Sequence, residues 1–341
     1  MLVRPRAWWF NKVPLSFVLV LLLVDGRPLS APALAVLALV VLTVCAVGNY
    51  GYAINDLFDI EEDARAGRPN AAAAGGGRAA WGIIALSAIC ALLFATAAAS
   101  AVAALITLAE LALPAAYSIP PLRIKERTWL GVAADALAAH VYPAVLALLA
   151  VAHWSLRPVT VLLACSVVVW SLAAGLRGIL SHQLHTAERD AGAGLTTLVH
   201  VAGATRLERF VVCVLLPLQV MGFAGALIAC NTGVALWCAV ALYLAYEAYK
   251  TLRGGFAVFA LRPQGQPYVP FLEESFYKAW GPLAITLDAA RADVRYVLFA
   301  VAYALLFRPH LIIELQRLRA VLRTLWPDSA TERGDRSSAG S

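Results

Sequence analysis

Long apolar runs alternate with short polar segments along the chain. Their spacing predicts helices over residues 8–24, 31–54, 79–98, 101–118, 129–152, 158–177, 208–229, 232–250 and 294–313. Each run reaches the roughly 17–25 residues that a helix needs to cross a bilayer. Ala79 to Tyr117 carries a single charge, Glu110, and exceeds the ~20 residues of one span. It therefore reads as two antiparallel helices with a tight turn near Ser100. Composition agrees: 61% of residues are hydrophobic and 14% charged, against about 25% charged in soluble domains. The expected fold is an all-α integral membrane protein, a bundle of about nine transmembrane helices embedded in a lipid bilayer.

Charge gives the bundle an orientation. Lys and Arg gather at the N-terminus and in the even-numbered loops, whereas the opposite loops hold Arg27 and Arg157 only. The positive-inside tendency then places the N-terminus and the even loops in the cytoplasm. The same distribution accounts for the net charge of +6 better than a nucleic-acid partner does, and none is expected. No short signal peptide precedes the first apolar run, so that run is expected to remain as a helix. The predicted organisation is a transmembrane domain over residues 1–313, with a cytoplasmic loop at 251–293 in which "FLEESFYKAWGPLAITLDAARAD" is expected to form an interfacial helix or cap, and a polar, basic, partly disordered tail at 314–341. Nine spans leave that tail on the side opposite the basic loops, which its arginines contradict. The alternative for 294–325 is a short span followed by an amphipathic surface helix, because "LIIELQRLRAVLRTLW" alternates apolar and basic faces at helical spacing. The cysteines lie inside apolar runs without CxxC pairs, which points to packing rather than disulfides or zinc.

Against this apolar background "NDLFDIEED", Asn55 to Asp63, stands out. Asn55, Asp59 and Asp63 are spaced i, i+4, i+8, which on a helix aligns three oxygen donors along one face, drifting ~40° per step. Asp56 flanks the row. Such a row repels itself unless a cation sits on it, and Mg²⁺ typically takes one or two carboxylates and completes its shell with substrate phosphates. A solvated acidic helix end is the competing reading; the asparagine in register argues against it. A second row, His182, Thr186 and Asp190, repeats the spacing within "GLRGILSHQLHTAERDAGAGLTT" and has Glu188 and His185 beside it. Deeper in the apolar runs lie Glu110, Asp135 and His140. Intramembrane ionisable groups usually face a bundle interior or a water-filled cavity. Asp135 is thus a candidate for the chamber wall, or for a polar pair between helices.

These segments resemble the motifs of the UbiA-type intramembrane prenyltransferase superfamily. "NDLFDIEED" matches its NxxxDxxxD pattern, "YSIPPLRIKER" at Tyr117 to Arg127 is similar to its YSxPPLRxK loop, and "HQLHTAERDAGAGLTT" resembles its HQxxDxExDxxxGxxT motif. Order and spacing follow the family over about residues 8–310. One position departs: Thr186 stands where the family form carries aspartate, and Thr is a poorer metal ligand.

The resemblance implies a Mg²⁺-dependent enzyme with a chamber open to the cytoplasmic side. It would ionise a polyprenyl diphosphate and transfer the prenyl group to a small or lipid acceptor. It further implies metal binding by Asn55, Asp59 and Asp63, with Asp190 and Glu188 or His182 at a second site, and Asp59, Asp63 and Asp190 as the catalytic acids. Diphosphate partners are Arg68, Arg123, Lys125 and Arg177. Asp56, Tyr117, Asp135, His140, His182 and Thr186 are expected at the chamber or the acceptor. Competing activities are a membrane terpene cyclase, phosphoribosyl transfer to a lipid phosphate and, from another class, a cation-coupled transporter. Transporter sites lie near mid-bilayer in broken helices, whereas these rows lie at helix ends.

Overall fold

The computed structural model describes residues 5–65, 67, 69–192, 196–254 and 275–325. Every regular element among them is helical. Five helices are long and apolar enough to cross a membrane, six if one bent pair counts as a span, and two shorter apolar helices accompany them. The chain is a multi-pass membrane protein.

The first helix, α1, covers Pro5–Val24, and α2 covers Ala31–Phe58. Ser30 caps α2 by accepting a hydrogen bond from the Ala33 amide, with Pro32 in the first turn where its missing N–H costs nothing. Val36, Val40, Val44 and Val47 are buried on one face at helical spacing. Short helices α3 (Ile60–Arg65) and α4 (Ala71–Gly75) follow.

Next, α5 (Gly77–Ser118) is interrupted at Ala99 and Ser100, where the backbone leaves helical geometry. Unbroken, it would hold Ser87 and Pro114 about 40 Å apart. Yet Asn49 Nδ2 donates to Ser87 Oγ at 2.7 Å, and Pro114 packs against Gly51, 3.6 Å from where a Cβ would stand. Both halves therefore lie beside the same turn of α2, the hairpin expected from the length of the run. Ala80, Ile84, Ser87, Ala91, Ala95 and Ala98 are buried on the first half, and mostly small side chains let helices approach closely where lipid supplies no hydrophobic drive between them.

The core continues through α6 (Trp129–His153), α7 (Val161–Gly192), α8 (Leu198–Ala202), α9 (Ala204–Cys230) and α10 (Val234–Gly254). Helices α7 and α9 cross at Gly222, where an added Cβ would stand 2.6 Å from the Trp170 amide nitrogen. Only glycine permits this approach.

The C-terminal region differs from expectation. Within the loop where an interfacial helix or cap is expected, Phe276–Trp280 runs into Gly281–Ala289 as α11, which is instead buried against α1. Lys278, Pro282 and Asp288 interrupt its apolar run and hide it in the sequence. Asp288 is satisfied internally, accepting from the Gly233 amide at 3.0 Å and pairing with Arg291 at 2.8 Å. After α11, α12 (Val294–Leu306) meets α13 (Arg308–Leu325) at an 84° bend, so the helix expected at 294–313 is not one straight span. Phe307 stacks on Trp9 at 5.6 Å, and His310 Nε2 meets the Phe10 carbonyl at 3.0 Å. The polypeptide thus returns to the end where α1 begins. The basic α13 therefore starts at the end of the bundle where α1 begins. Helix α13 passes through the boundary expected at 314; residues 326–341 lie outside the described residues.

At the other end of α1, Arg157 donates to the carbonyls of Leu23, Cys230 and Asp25 at 2.7, 2.9 and 2.6 Å, tying three connections together. Asp25 is 2% exposed. Burial, and next the charge of Asp288, push its carboxyl from the ordinary 3.8 up to about 6. The folded chain holds this proton more tightly than the unfolded one, so the stabilisation is complete below 3.8 and is lost as pH rises through about 6. Asp25→Asn keeps the neutral form at every pH. In detergent, the variant's melting temperature should therefore rise relative to the wild type between about pH 4 and pH 7. A relative fall on raising the pH would show that Asp25 is ionised and favourably paired.

Candidate active site

The acidic row forms where α2 stops. Asp59 closes the helix with φ −110° and ψ 11°, and α3 restarts at Ile60, while the Asp63 amide still donates to the Asp59 carbonyl at 2.8 Å. The single continuous helix expected under Asn55, Asp59 and Asp63 is thus two helices sharing one register. Each member has its own surroundings. Asn55 lines a cavity and accepts from Ser118 Oγ at 3.2 Å. Asp63, buried, accepts from Asn70 Nδ2 at 2.8 Å. Asp56 is buried in a separate small hollow with Ala53, Ala72 and Ala80, turned away from the cavity that Asn55 lines.

Asp59 meets the loop that follows α5. Lys125 Nζ lies 2.5 Å from Asp59 Oδ1 and 3.1 Å from Glu62 Oε2. Arg123 Nη2 reaches Glu62 Oε2 at 2.8 Å and Asp59 Oδ1 at 3.6 Å, and its Nε pairs with Glu126 at 2.6 Å. The loop is seated by Gly131 at the start of α6, where a Cβ would stand 3.0 Å from the Lys125 backbone. Burial raises the Asp59 carboxyl above its usual range, and Lys125 and then Arg123 pull it back part of the way. Burial also acts upward on Glu62, but Lys125 and Arg123 outweigh it and leave that carboxyl lowered. Glu62 was not singled out by the sequence reading. Its signal was the spacing from Asp59, one turn on, opposite a loop offering two cations.

Two adjoining cavities measure about 400 and 350 Å³; the first comes nearest the cluster at Asn55, Tyr117 and Ser118, and Asp59, Glu62, Arg123 and Lys125 line neither. Both are walled by Lys12, Tyr52, Asp135 and His182. The first adds Asn55, Tyr117 and, deeper, Glu110; the second adds His140, Tyr277 and Lys278. Asn55 of one polar row and His182 of the other therefore share a cavity. Thr186 Oγ1 lies 2.6 Å from Asp190 Oδ2, so the hydroxyl in the departing position orients the acid after it. Glu188 is exposed.

Arg177 is buried and donates through Nε to Gln219 Oε1 at 2.7 Å. Gln219 in turn donates to Tyr277 Oη at 3.4 Å. Helix α7 turns Gly178, Ile179 and His182 toward the cavities, and Arg177 toward α9, so the structure does not bring it to Arg123 and Lys125. Arg68 lies outside the described residues. Lys12 and Lys278 were missed as site residues because, in a sequence, they look like ordinary loop cations.

Among the described residues no three His, Cys, Asp or Glu side chains converge as a metal cage. The donor set nevertheless suits a divalent ion bound jointly with a ligand. A cationic ammonium already bridges Asp59 and Glu62, and Mg²⁺ commonly takes one or two carboxylates plus phosphate oxygens.

A sequence model of the UbiA prenyltransferase family matches residues 14–255. No curated protein matches the chain. Its fold resembles that of a UbiA homolog from Archaeoglobus fulgidus bound to DMAPP and Mg²⁺, with TM-score 0.60 and 20% identity, covering 86% of this chain and 98% of that one. The structure bound to GPP and Mg²⁺ gives 0.55 and 19% over 90% and 97%. A UbiA homolog from Aeropyrum pernix K1 gives 0.54 and 15% over 92% and 99%. At these identities the likeness is one of fold.

Asn70 holds the acidic turn in place: its Nδ2 also donates to the Asp56 carbonyl at 2.7 Å, and its Oδ1 caps α4 through the Ala73 amide at 2.9 Å. Asn70→Ala should lower stability by about 1–2 kcal/mol in reversible denaturation. An unchanged midpoint would mean that the turn is held by other contacts.

Proposed function

The chain belongs to the UbiA prenyltransferase family, and from that membership we propose that it ionises a polyprenyl diphosphate at the mouth of the first cavity and passes the prenyl group to an acceptor. The observation that carries this reading is the interlocked cluster of Asp59, Glu62, Arg123 and Lys125 beside a cavity whose wall begins at Asn55 and Tyr117.

In this reading Asn55, Asp59 and Asp63 would hold Mg²⁺, and Asp190, with Glu188 or His182, would hold a second ion. When bound there, Mg²⁺ would supply charge neutralisation for a departing diphosphate. Lys125 and Arg123 exchange their carboxylate partners for diphosphate oxygens, Arg as a fork and Lys as a point charge. The allylic C–O bond breaks with its electron pair leaving on the diphosphate. The acceptor's nucleophile forms the new bond to carbon, and the proton it releases passes to Asp135 or to water. The apolar wall around Tyr117 keeps water from the cation, and aromatic faces such as those of Tyr52 and Tyr117 stabilise positive charge.

The distribution of the basic loops supports a mouth on the cytoplasmic side. A terpene cyclase would share the ionisation step but has no use for the second, polar cavity, and phosphoribosyl transfer would share the metal and the diphosphate cluster. The position of the cluster at helix ends disfavours a cation-coupled transporter.

Mass spectrometry of products from the purified chain, given a panel of prenyl diphosphates with and without acceptors, separates these readings. Prenyl transfer predicts turnover only with an acceptor present, falling at least ~100-fold in Asp59→Asn and in Asp63→Asn. A cyclic product from donor alone, or full activity in both variants, would contradict it.

A further inference from the structure

Helix α13 leaves the bundle in a direction that suits one kind of surface. The helix before it, α12, exposes Leu298, Val301 and Leu305 at a spacing that aligns them on one face. An apolar outer face of this kind on a membrane bundle meets acyl chains. The 84° bend after α12 then lays α13 close to the plane of the bilayer. It lies at the end of the bundle where α1 begins, and Lys12 of α1 and Asn55 of α2 wall one cavity, so this is also the mouth end.

Two inward contacts fix how α13 is rotated. His310 Nε2 meets the Phe10 carbonyl at 3.0 Å, and Glu314, 6% exposed, accepts from Trp280 Nε1 at 3.1 Å. With that face against the protein, Leu311, Leu315, Leu318 and Leu322 fall at i, i+4, i+7 and i+11, a continuous stripe beside it. Leu315 and Leu322 are 54% and 46% exposed. Arg308 and Arg319, also exposed, edge the stripe on its outer side, ~16 Å apart along the axis. The helix carries four arginines against one acid, Glu314, and that acid is turned inward, where Arg317 pairs with it at 3.4 Å. The outward surface is therefore positive. No residue of α13 lines either cavity, and the whole helix lies beyond the 14–255 stretch that the family model matches.

We propose that α13 is a binding surface for anionic phospholipid headgroups. A leucine stripe edged by arginines is the pattern of a helix that lies in a membrane interface, with the leucines sunk to the acyl boundary and the arginines reaching the headgroups. Arg308 and Arg319 hold lipid phosphates in forked hydrogen bonds. Every phospholipid offers a phosphate, but only an anionic leaflet adds net negative charge, and each basic residue near such a surface gains from it. A second copy of the chain is the poorer occupant, because its own α13 carries the same sign of charge.

The test is hydrogen exchange, read by mass spectrometry over residues 308–325, on the full chain in nanodiscs that hold a single copy. Discs of phosphatidylcholine alone are compared with discs in which phosphatidylglycerol makes up about a third of the lipid. Amides of α13 should exchange about fivefold or more slowly in the anionic discs, and the difference should vanish in about 1 M salt, where charges are screened beyond about 3 Å. Arg308→Gln with Arg319→Gln should erase the difference, and lysine at both positions should keep most of it. The salt comparison on the wild type decides the matter where the glutamine variant fails to fold. Equal exchange in both lipids overturns the inference, as does protection that survives the glutamine pair or high salt. Protection that appears only in discs holding two copies, whatever the lipid charge, also overturns it, by assigning the face to a second chain.

Discussion

The structure depends on one electrostatic arrangement, two carboxylates at the end of α2 and the start of α3 held by two cations from the loop after α5. Asp59 and Glu62 share Lys125 and Arg123 at 2.5–3.6 Å. An unpaired carboxylate at 4% exposure, as at Asp59, would be strongly disfavoured at the edge of an apolar bundle. The cations make the cluster tolerable without making it inert. Charge-assisted bonds of this kind can be exchanged for bonds to another polyanion, because Lys and Arg gain as much from phosphate oxygens as from carboxylates. The groups that stabilise the resting mouth are thus those suited to grip a diphosphate.

The rest of the bundle serves to bring that loop and that helix end together. Alanine-rich packing lets the first half of α5 lie close to α2, and the break at Ser100 returns the second half along the same helix. The loop leaving Ser118 consequently arrives beside Asn55 and Asp59. Gly131 then admits the Lys125 backbone at a distance that a side chain would crowd. On the far wall, the crossing at Gly222 sets α7 against α9, turning His182 toward the cavities and Arg177 toward Gln219.

Much of this was legible in the sequence because membrane physics leaves few alternatives. A run with a single charge, too long for one span and too short for three, had to fold once, and it folds at Ser100. The acidic row and the Arg-Ile-Lys loop were legible because oxygen donors and cations are rare in this composition. The remainder was hidden for identifiable reasons. Phe276–Ala289 carries Lys278, Pro282 and Asp288, so it reads as an interfacial helix or cap in a cytoplasmic loop, whereas the fold buries it against α1. The break at Asp59 preserves the helical register, so no spacing betrays it. Lys12 and Lys278 are indistinguishable from topological cations until the fold places them on one cavity wall. The phase of α7, which separates Arg177 from the cluster it was expected to join, is set by packing at Gly222 and Gln219.

The account is tested most directly by an experimental structure of the chain with Mg²⁺ and a prenyl thiolodiphosphate. It predicts the Asp59–Lys125 pair parted, with Lys125 and Arg123 on diphosphate oxygens, Asp59 on the metal, and the prenyl chain entering past Asn55 and Tyr117. An intact Asp59–Lys125–Glu62 bridge, with the diphosphate bound elsewhere, would contradict it.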